Sequence, residues 1–340
     1  MAEQLNIMLF SDFHYKKGTY TTSIEDMNEI FLAAKRLGAD LVLQAGDLCN
    51  SYRKAPELVR AYLDNVAGLP VYGVFGNHEL EDDTLESVQK LVTNQKDVEY
   101  ARPDAGYYAV DRNGFRLIFT DTNYSYNEEK DEWQRNTCLH RPKENVRGDS
   151  LGTDQFAWLE AQLKDAAEKG LRCIVIGHAG FSGIERFSPD TEAVQALYRR
   201  VNHIRKGTVM MSINGHYHTN NLVVIDDVLY FDVNTVRNGH WQPLAVPHYG
   251  DEHTYPFTSY DESGEAISTY SRPIPELTQS KKTWFFRDPL YTFLTVSTDG
   301  TIDVTGKETE WLYGITPEQC WNGTMPKISS GTFFITGEEK

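Results

Sequence analysis

The chain has 340 residues, with 33 basic against 49 acidic side chains, a net charge of −16 and a pI near 5.1. Its 16 Phe, 19 Tyr and 6 Trp spread over the whole length, which excludes a disordered chain, and its acidity argues against a general nucleic-acid binder. No apolar run reaches the roughly 18 residues of a membrane span, so no membrane association is expected, and this much chain buries one large core or two ordinary ones. Leu5–Phe10 reads as a buried strand. Ile24, Met27, Ile30, Phe31 and Ala34 then follow helical spacing, closed by Gly38. Residues 40–44 are strand-like. Pro56 stands where a first helical position belongs, with Leu58, Tyr62 and Val66 as the apolar stripe behind it. Residues 71–75 form a third strand and 85–92 a helix. Tyr107–Val110 and Phe115–Phe119 flank Asn113-Gly114, the strongest hairpin signal in the chain. A helix over about 154–169 precedes the strand Cys173–Ile176, and another over 191–201 precedes Val209–Ile213. Leu222–Ile225 and Val228–Phe231 form a hairpin about Asp226-Asp227.

Near residue 241 the character changes. Six of the 13 prolines lie in 241–290, which reads as mostly irregular chain. Order returns with Tyr291–Val296 and Thr301–Val304, joined through Asp299-Gly300. The β/α alternation with hairpins at its edges implies a layered α/β domain. The expected division is 1–240 as that domain and 241–340 as a Pro- and aromatic-rich extension with a β-hairpin, a cap or a completion of the layers. The four cysteines, at 49, 138, 173 and 320, show no paired spacing. That is too sparse for a disulfide framework and fits a reducing compartment; the N-terminus, MAEQLNIMLFSD, lacks the basic and apolar regions of a secretory signal. The expected location is the cytoplasm.

Five short motifs concentrate the chemistry: Asp12-Phe13-His14, Gly46-Asp47, Gly76-Asn77-His78-Glu79, Gly177-His178 and Gly215-His216-Tyr217-His218. Each follows a predicted strand, so each falls in the loops where open α/β sheets place ligands. The i, i+2 pairs Asp12/His14 and His216/His218 would point to one side in extended backbone, and the preceding glycines allow sharp turns. A lone histidine beside a strand is usually a core or capping residue. Here five of the ten histidines share one kind of motif at one end of one predicted sheet. The donor atoms are O and N without sulfur, which suits Mn, Fe, Zn or Ni.

In this order the motifs D-x-H, G-D, G-N-H-E, G-H and G-H-x-H resemble the calcineurin-like metallophosphoesterase superfamily over roughly residues 5–235, and Leu151–Glu160 resembles the helix start these enzymes often carry. The resemblance implies a four-layer αββα sandwich with a binuclear centre of two divalent or mixed-valence metal ions. Asp12, His14, Asp47 and His218 would hold one ion. Asp47 as a bridge, with Asn77, His178 and His216, would hold the other. His78 would face the substrate and assist the leaving group. The position that carries a metal-binding Tyr in purple acid phosphatases is Asn50, and Tyr52 is out of register, so no tyrosinate-bound ferric site is expected.

The implied activity is hydrolysis of a small-molecule phosphomonoester or phosphodiester by a hydroxide shared between the two ions. The rivals are a cyclic-nucleotide or nucleotide-sugar phosphohydrolase on the same centre, and a metal-stabilised interaction module without catalysis. Glu79 would orient His78 or support a ligand from behind, or simply be a solvated loop carboxylate; Asp121 would end its strand beside the centre. Between Asp121 and Thr153 lies an insertion, residues 123–150, bearing Arg135, His140, Arg141, Lys143 and Arg147. Arg135 and Arg141 are the candidate substrate contacts, and the aromatic stretch 241–286 is the other candidate lid.

Overall fold

Side-chain alternation on the first strand decides the layering. In β1 (Gln4–Phe10), Leu5, Ile7 and Leu9 point to one face and Met8 and Phe10 to the other, and all five are buried. A strand buried on both faces lies between two other layers. The computed structural model describes residues 2–15, 22–49, 51–80, 84–96, 98–127, 130–135, 149–183, 188–239, 254–260, 266–273, 284–310 and 327–335.

β1 runs parallel to β2 (Leu41–Gln44), and β2 to β3 (Val71–Gly73). On its other side β1 pairs antiparallel with β16 (Thr292–Ser297), followed by β17 (Thr301–Gly306) and β18 (Gly331–Phe334). The first sheet is therefore β18-β17-β16-β1-β2-β3. The second consists of β4 (Tyr108–Arg112), β5 (Phe115–Phe119), β8 (Arg172–Ile176), β9 (Val209–Asn214), β10 (Asn221–Ile225) and β11 (Val228–Asp232), in the order β10-β11-β9-β8-β5-β4.

Between the sheets Leu5, Ile7, Leu9 and Leu41 meet Leu117, Phe119, Ile174 and Ile176. Outside the first sheet, Met27, Ile30 and Phe31 of α1 (Ile24–Leu37) and Leu58 and Tyr62 of α2 (Pro56–Leu63) cover Met8, Phe10 and Val42. Outside the second, α4 (Thr153–Lys169) and α5 (Thr191–Ile204) lay Leu159, Leu163, Leu197 and Val201 over Ile118, Val175, Val209 and Tyr230. The order is helices, sheet, sheet, helices: a four-layer αββα sandwich.

Local chemistry sets the helix ends. Ser23 and Asp26 form a reciprocal capping box at the start of α1, and Gly38 closes it in left-handed backbone at φ +78°. Pro56 opens α2, but that helix stops at Leu63, so Val66 lies beyond it and is exposed. β3 also ends early, at Gly73, and α3 (Leu85–Gln89) stops short of Val92. Within 241–290, where the prolines predict irregular chain, β13 (Thr254–Tyr260) pairs with β14 (Ala266–Pro273). A two-stranded ribbon has two edges, and an edge tolerates a residue such as Pro256 that lacks an N–H. Residues 240–253, 261–265 and 274–283 lie outside the described residues.

Candidate metal centre

The carboxyl ends of the parallel strands of both sheets meet. Ser11, just past β1, bridges to Thr235, just past β11, and the Thr235 hydroxyl donates to the Asp12 carbonyl at 2.7 Å. The backbone N–H groups of Asp12 and His14 donate to the carbonyls of Gly46 and Asp47 at 3.0 and 2.9 Å. The His216 N–H donates to Asp12 Oδ2 at 3.0 Å. Two motifs are thus tied through backbone alone, and the third hangs on the Asp12 carboxylate.

Asp12/His14 and His216/His218 do converge, but not through extended backbone. All four have left-handed φ, at +53°, +48°, +69° and +53°, and Asp47 joins them at +57°. For non-glycine residues this conformation is uncommon and is found where the surroundings enforce it, often at functional sites. The preceding glycines serve two different ends. Gly46 itself has φ +100°, whereas Gly76 has ordinary backbone and is required by space: a Cβ there would sit 2.0 Å from Asp47 Oδ1.

Two groups of donors result, with Asp47 reaching both. On one side His218 Nε2 lies 3.1 Å from Asp12 Oδ1 and 3.0 Å from His14 Nε2. On the other, His178 Nε2 lies 3.2 Å from Asp47 Oδ2 and 3.2 Å from His216 Nδ1. His14 Nε2 is 3.7 Å from both Asp12 and Asp47. Asp12, His14 and His218 form one group able to hold a cation, and Asp47, His178 and His216 a second; His78 forms a third with His14 and Asp47. His178 Nδ1 lies 2.8 Å from the Ala45 carbonyl, so Nδ1 donates there and Nε2 is the ring atom left facing Asp47. Asn77 is buried, and its Oδ1 has no hydrogen-bond partner. An orphaned amide oxygen beside clustered imidazoles and carboxylates fits a cation of the oxygen- and nitrogen-seeking kind.

Burial would raise the Asp47 carboxyl, yet His178 and His78 hold it well below the usual range. Asp12 is likewise held low, against burial, by His218 and His14. Burial would lower the His178 imidazole, and Asp47 instead draws it up to about 10. The carboxylates therefore stay ionised at neutral pH, the state in which a carboxylate can hold a cation.

His78 is the most open member, a quarter exposed, with Nε2 3.9 Å from Asp47 Oδ2 and its backbone N–H donating to Asp47 Oδ1 at 2.9 Å. Glu79 is fully buried rather than solvated. Its two oxygens accept from the backbone N–H groups of Gly76, Asp47, Leu48 and Cys49, which ties the Asn77 loop to the Asp47 loop. Its position in G-N-H-E, straight after a strand, was the available signal. Tyr52 packs in the core beneath α1 and α2, with its phenol held well above its ordinary value by burial and by Glu79.

Asp121 is also fully buried, and among the described residues it joins none of the donor groups. It accepts from Arg135 Nε at 3.0 Å and from the backbone and side-chain amides of Asn123, both at 3.0 Å. Arg135 belongs to β7 (Glu132–Arg135), which with β6 (Tyr124–Asn127) makes a hairpin. It stacks over Tyr124 with Cζ 4.9 Å from the ring centre. Together with Thr84, Gln89, Arg102 and Trp133 these residues line a cleft of about 930 Å³. Next to Tyr124, Asn123 Nδ2 donates to the Phe75 carbonyl at 3.2 Å, just before the Asn77 loop. Arg141, with the rest of 136–148, lies outside the described residues.

The sequence profile of the calcineurin-like phosphoesterases matches residues 5–220. The chain belongs to that family. Among solved structures it is similar to a dimetal phosphatase from Danio rerio, at 13% identity and a TM-score of 0.57, over 89% of this chain and 95% of that one. It is also similar to GAP50, the anchor in the inner membrane complex of Plasmodium (13% identity, TM-score 0.48, 92% and 87% covered), and to the purple acid phosphatase PPD1 of yellow lupin seeds (14%, 0.46, 90% and 52%). At such identities the likeness is one of fold, and the first of the three carries it. No curated protein matches the chain. Members of the family use divalent metal ions, and family membership with these His/Asp clusters supports a metal-dependent phosphoesterase, a hydrolase. Among the described residues no helix is long and apolar enough to cross a membrane.

Proposed function

We propose that this calcineurin-like phosphoesterase is a binuclear enzyme that hydrolyses a small phosphomonoester or phosphodiester. The observation that carries this reading is the position of Asp47, whose carboxylate lies within 3.7 Å of donors in both groups. Asp12, His14 and His218 would hold one ion, and Asn77, His178 and His216 the other, with Asp47 shared. When bound, two such ions acidify a water held between them and neutralise charge developing on the phosphoryl oxygens. The chain's part is to fix the donors: Glu79 locks two of the loops, and the Ala45 carbonyl sets the His178 tautomer. His78, open to solvent and outside the two sets, is placed to give a proton to the departing alkoxide. The cleft walled by Tyr124 and Arg135 would receive the rest of the ester.

The test is an assay of phosphomonoesters, phosphodiesters and cyclic nucleotides on metal-stripped protein given Mn²⁺, Fe²⁺, Ni²⁺ or Zn²⁺. Two ions per chain and turnover of one ester class are expected. Asp47→Asn is expected to abolish turnover and to lower the metal content found by elemental analysis. Two tightly held ions in that variant would remove Asp47 as the bridge.

A further inference from the structure

Left-handed non-glycine residues fall into two sets among the described residues. Asn113, Asp131, Asp226 and Asp227 occupy hairpin turns, where positive φ is what the turn requires. Asp12, His14, Asp47, His216 and His218 carry the clustered donors. One residue remains. Asp149, at φ +63°, sits in no hairpin turn and in no motif, at the end of the insertion that precedes α4.

Its surroundings explain how the conformation is held. Tyr124 and Ser150 exchange backbone hydrogen bonds of 3.2 and 3.0 Å, which closes the foot of the insertion. The Ser150 hydroxyl and the Leu151 N–H both donate to Asp190 Oδ2, at 2.5 and 2.7 Å, and Leu151 is buried. With its successor clamped in this way, Asp149 is turned toward the centre, and its Oδ2 lies 3.6 Å from His216 Nε2. The other nitrogen of that ring, Nδ1, is the one that faces His178 Nε2 beside Asp47.

We propose that Asp149 is a positioning residue for His216. Its carboxylate accepts a hydrogen bond from Nε2–H, so the proton stays on Nε2, Nδ1 keeps its lone pair for the donor group around Asp47, and the ring is held against rotation. A carboxylate behind a ligating histidine fixes both tautomer and orientation. The 3.6 Å spacing is longer than a formed hydrogen bond, and contacts of this kind are often long before ligands bind. The inference rests on His216 being a ligand, as under the proposed function.

The experiment compares wild type, Asp149→Ala and Asp149→Asn, each as the full chain. Binding of Mn²⁺ or Zn²⁺ to metal-stripped protein is followed by calorimetry, and the His216 ring by ¹⁵N NMR of the stripped protein. Asp149→Ala is expected to weaken one of the two ions by roughly 10–100-fold, to spare the other, and to lose the Nε2-protonated tautomer. Asn keeps an acceptor oxygen and is expected to recover most of both. An Ala variant with wild-type affinities and tautomer overturns the proposal. So does an Asn variant as weak as Ala, which would make Asp149 a ligand in its own right. If wild type itself binds fewer than two ions the binuclear reading fails, while the NMR comparison still decides the role of Asp149. Thermal melting of the stripped variants separates either result from misfolding.

Discussion

His78 and Glu79 are adjacent in the chain and do opposite things. His78 keeps a quarter of its side chain in solvent, and its backbone is anchored on Asp47. Its proposed work is proton donation, so His78→Ala is expected to retain both ions and lose roughly 10²–10⁴-fold in kcat. The loss should shrink for a nitrophenyl ester, whose leaving group needs no proton. Equal losses for good and poor leaving groups, in kinetics run beside metal analysis, would assign His78 to charge stabilisation instead. Glu79 has no exposed surface and accepts from four backbone N–H groups in two loops. Glu79→Gln replaces one acceptor oxygen by an NH₂ aimed at those donors. Lost hydrogen bonds and unsatisfied buried donors together should cost about 3 kcal/mol in urea unfolding. A stability within 0.5 kcal/mol of wild type, about the scatter of surface substitutions, would mean the loops are held by other contacts.

At the scale of elements, the insertion is the informative piece. Its positive charge makes its arginines the natural candidates for holding a substrate phosphate. In the structure Arg135 is already engaged with the buried Asp121 while it also walls the cleft. Arg135→Ala should therefore destabilise the protein by about 3 kcal/mol, because it strands a buried carboxylate. Chemical denaturation measures that directly. A KM that also rises far more for the true substrate than for a small aryl phosphate would add substrate contact to the structural role. The hairpin and the foot of the insertion are both pinned to the sandwich, through Trp133 Nε1 on Thr153 Oγ1 at 2.8 Å and through Ser150 on Asp190.

Across the whole molecule, the two ends of the chain complete one sheet. β16 pairs with β1 from Gln4↔Ser297 to Leu9↔Thr292, and Leu294, Val296, Ile302 and Val304 lie in the core between the sheets. Burying four such side chains contributes about 6–12 kcal/mol, comparable with the whole stability of a typical domain at about 5–15 kcal/mol. A chain cut after residue 240 is expected to be unfolded or aggregated, by circular dichroism and gel filtration. A cooperative, monomeric melt of that fragment would show that 1–240 stands alone.

Much was legible from sequence because it is local. Strand and helix periods, the Asn113-Gly114 turn, the Gly38 stop of α1 and the five motifs each depend on neighbours within a few positions, where propensity and side-chain spacing act directly. Gly76, read only as a turn residue, is instead needed because Asp47, 29 positions away, occupies the space its Cβ would fill. The partners of Glu79, the pairing of Arg135 with Asp121 and the approach of Asp149 to His216 are likewise contacts between distant segments. No local pattern encodes them, since each exists only after non-adjacent segments are brought to one edge of a sheet by strand pairing. Which motifs were present followed from the sequence alone; which buried groups support them was decided by tertiary packing, because a buried carboxylate takes whatever donors the folded chain places around it.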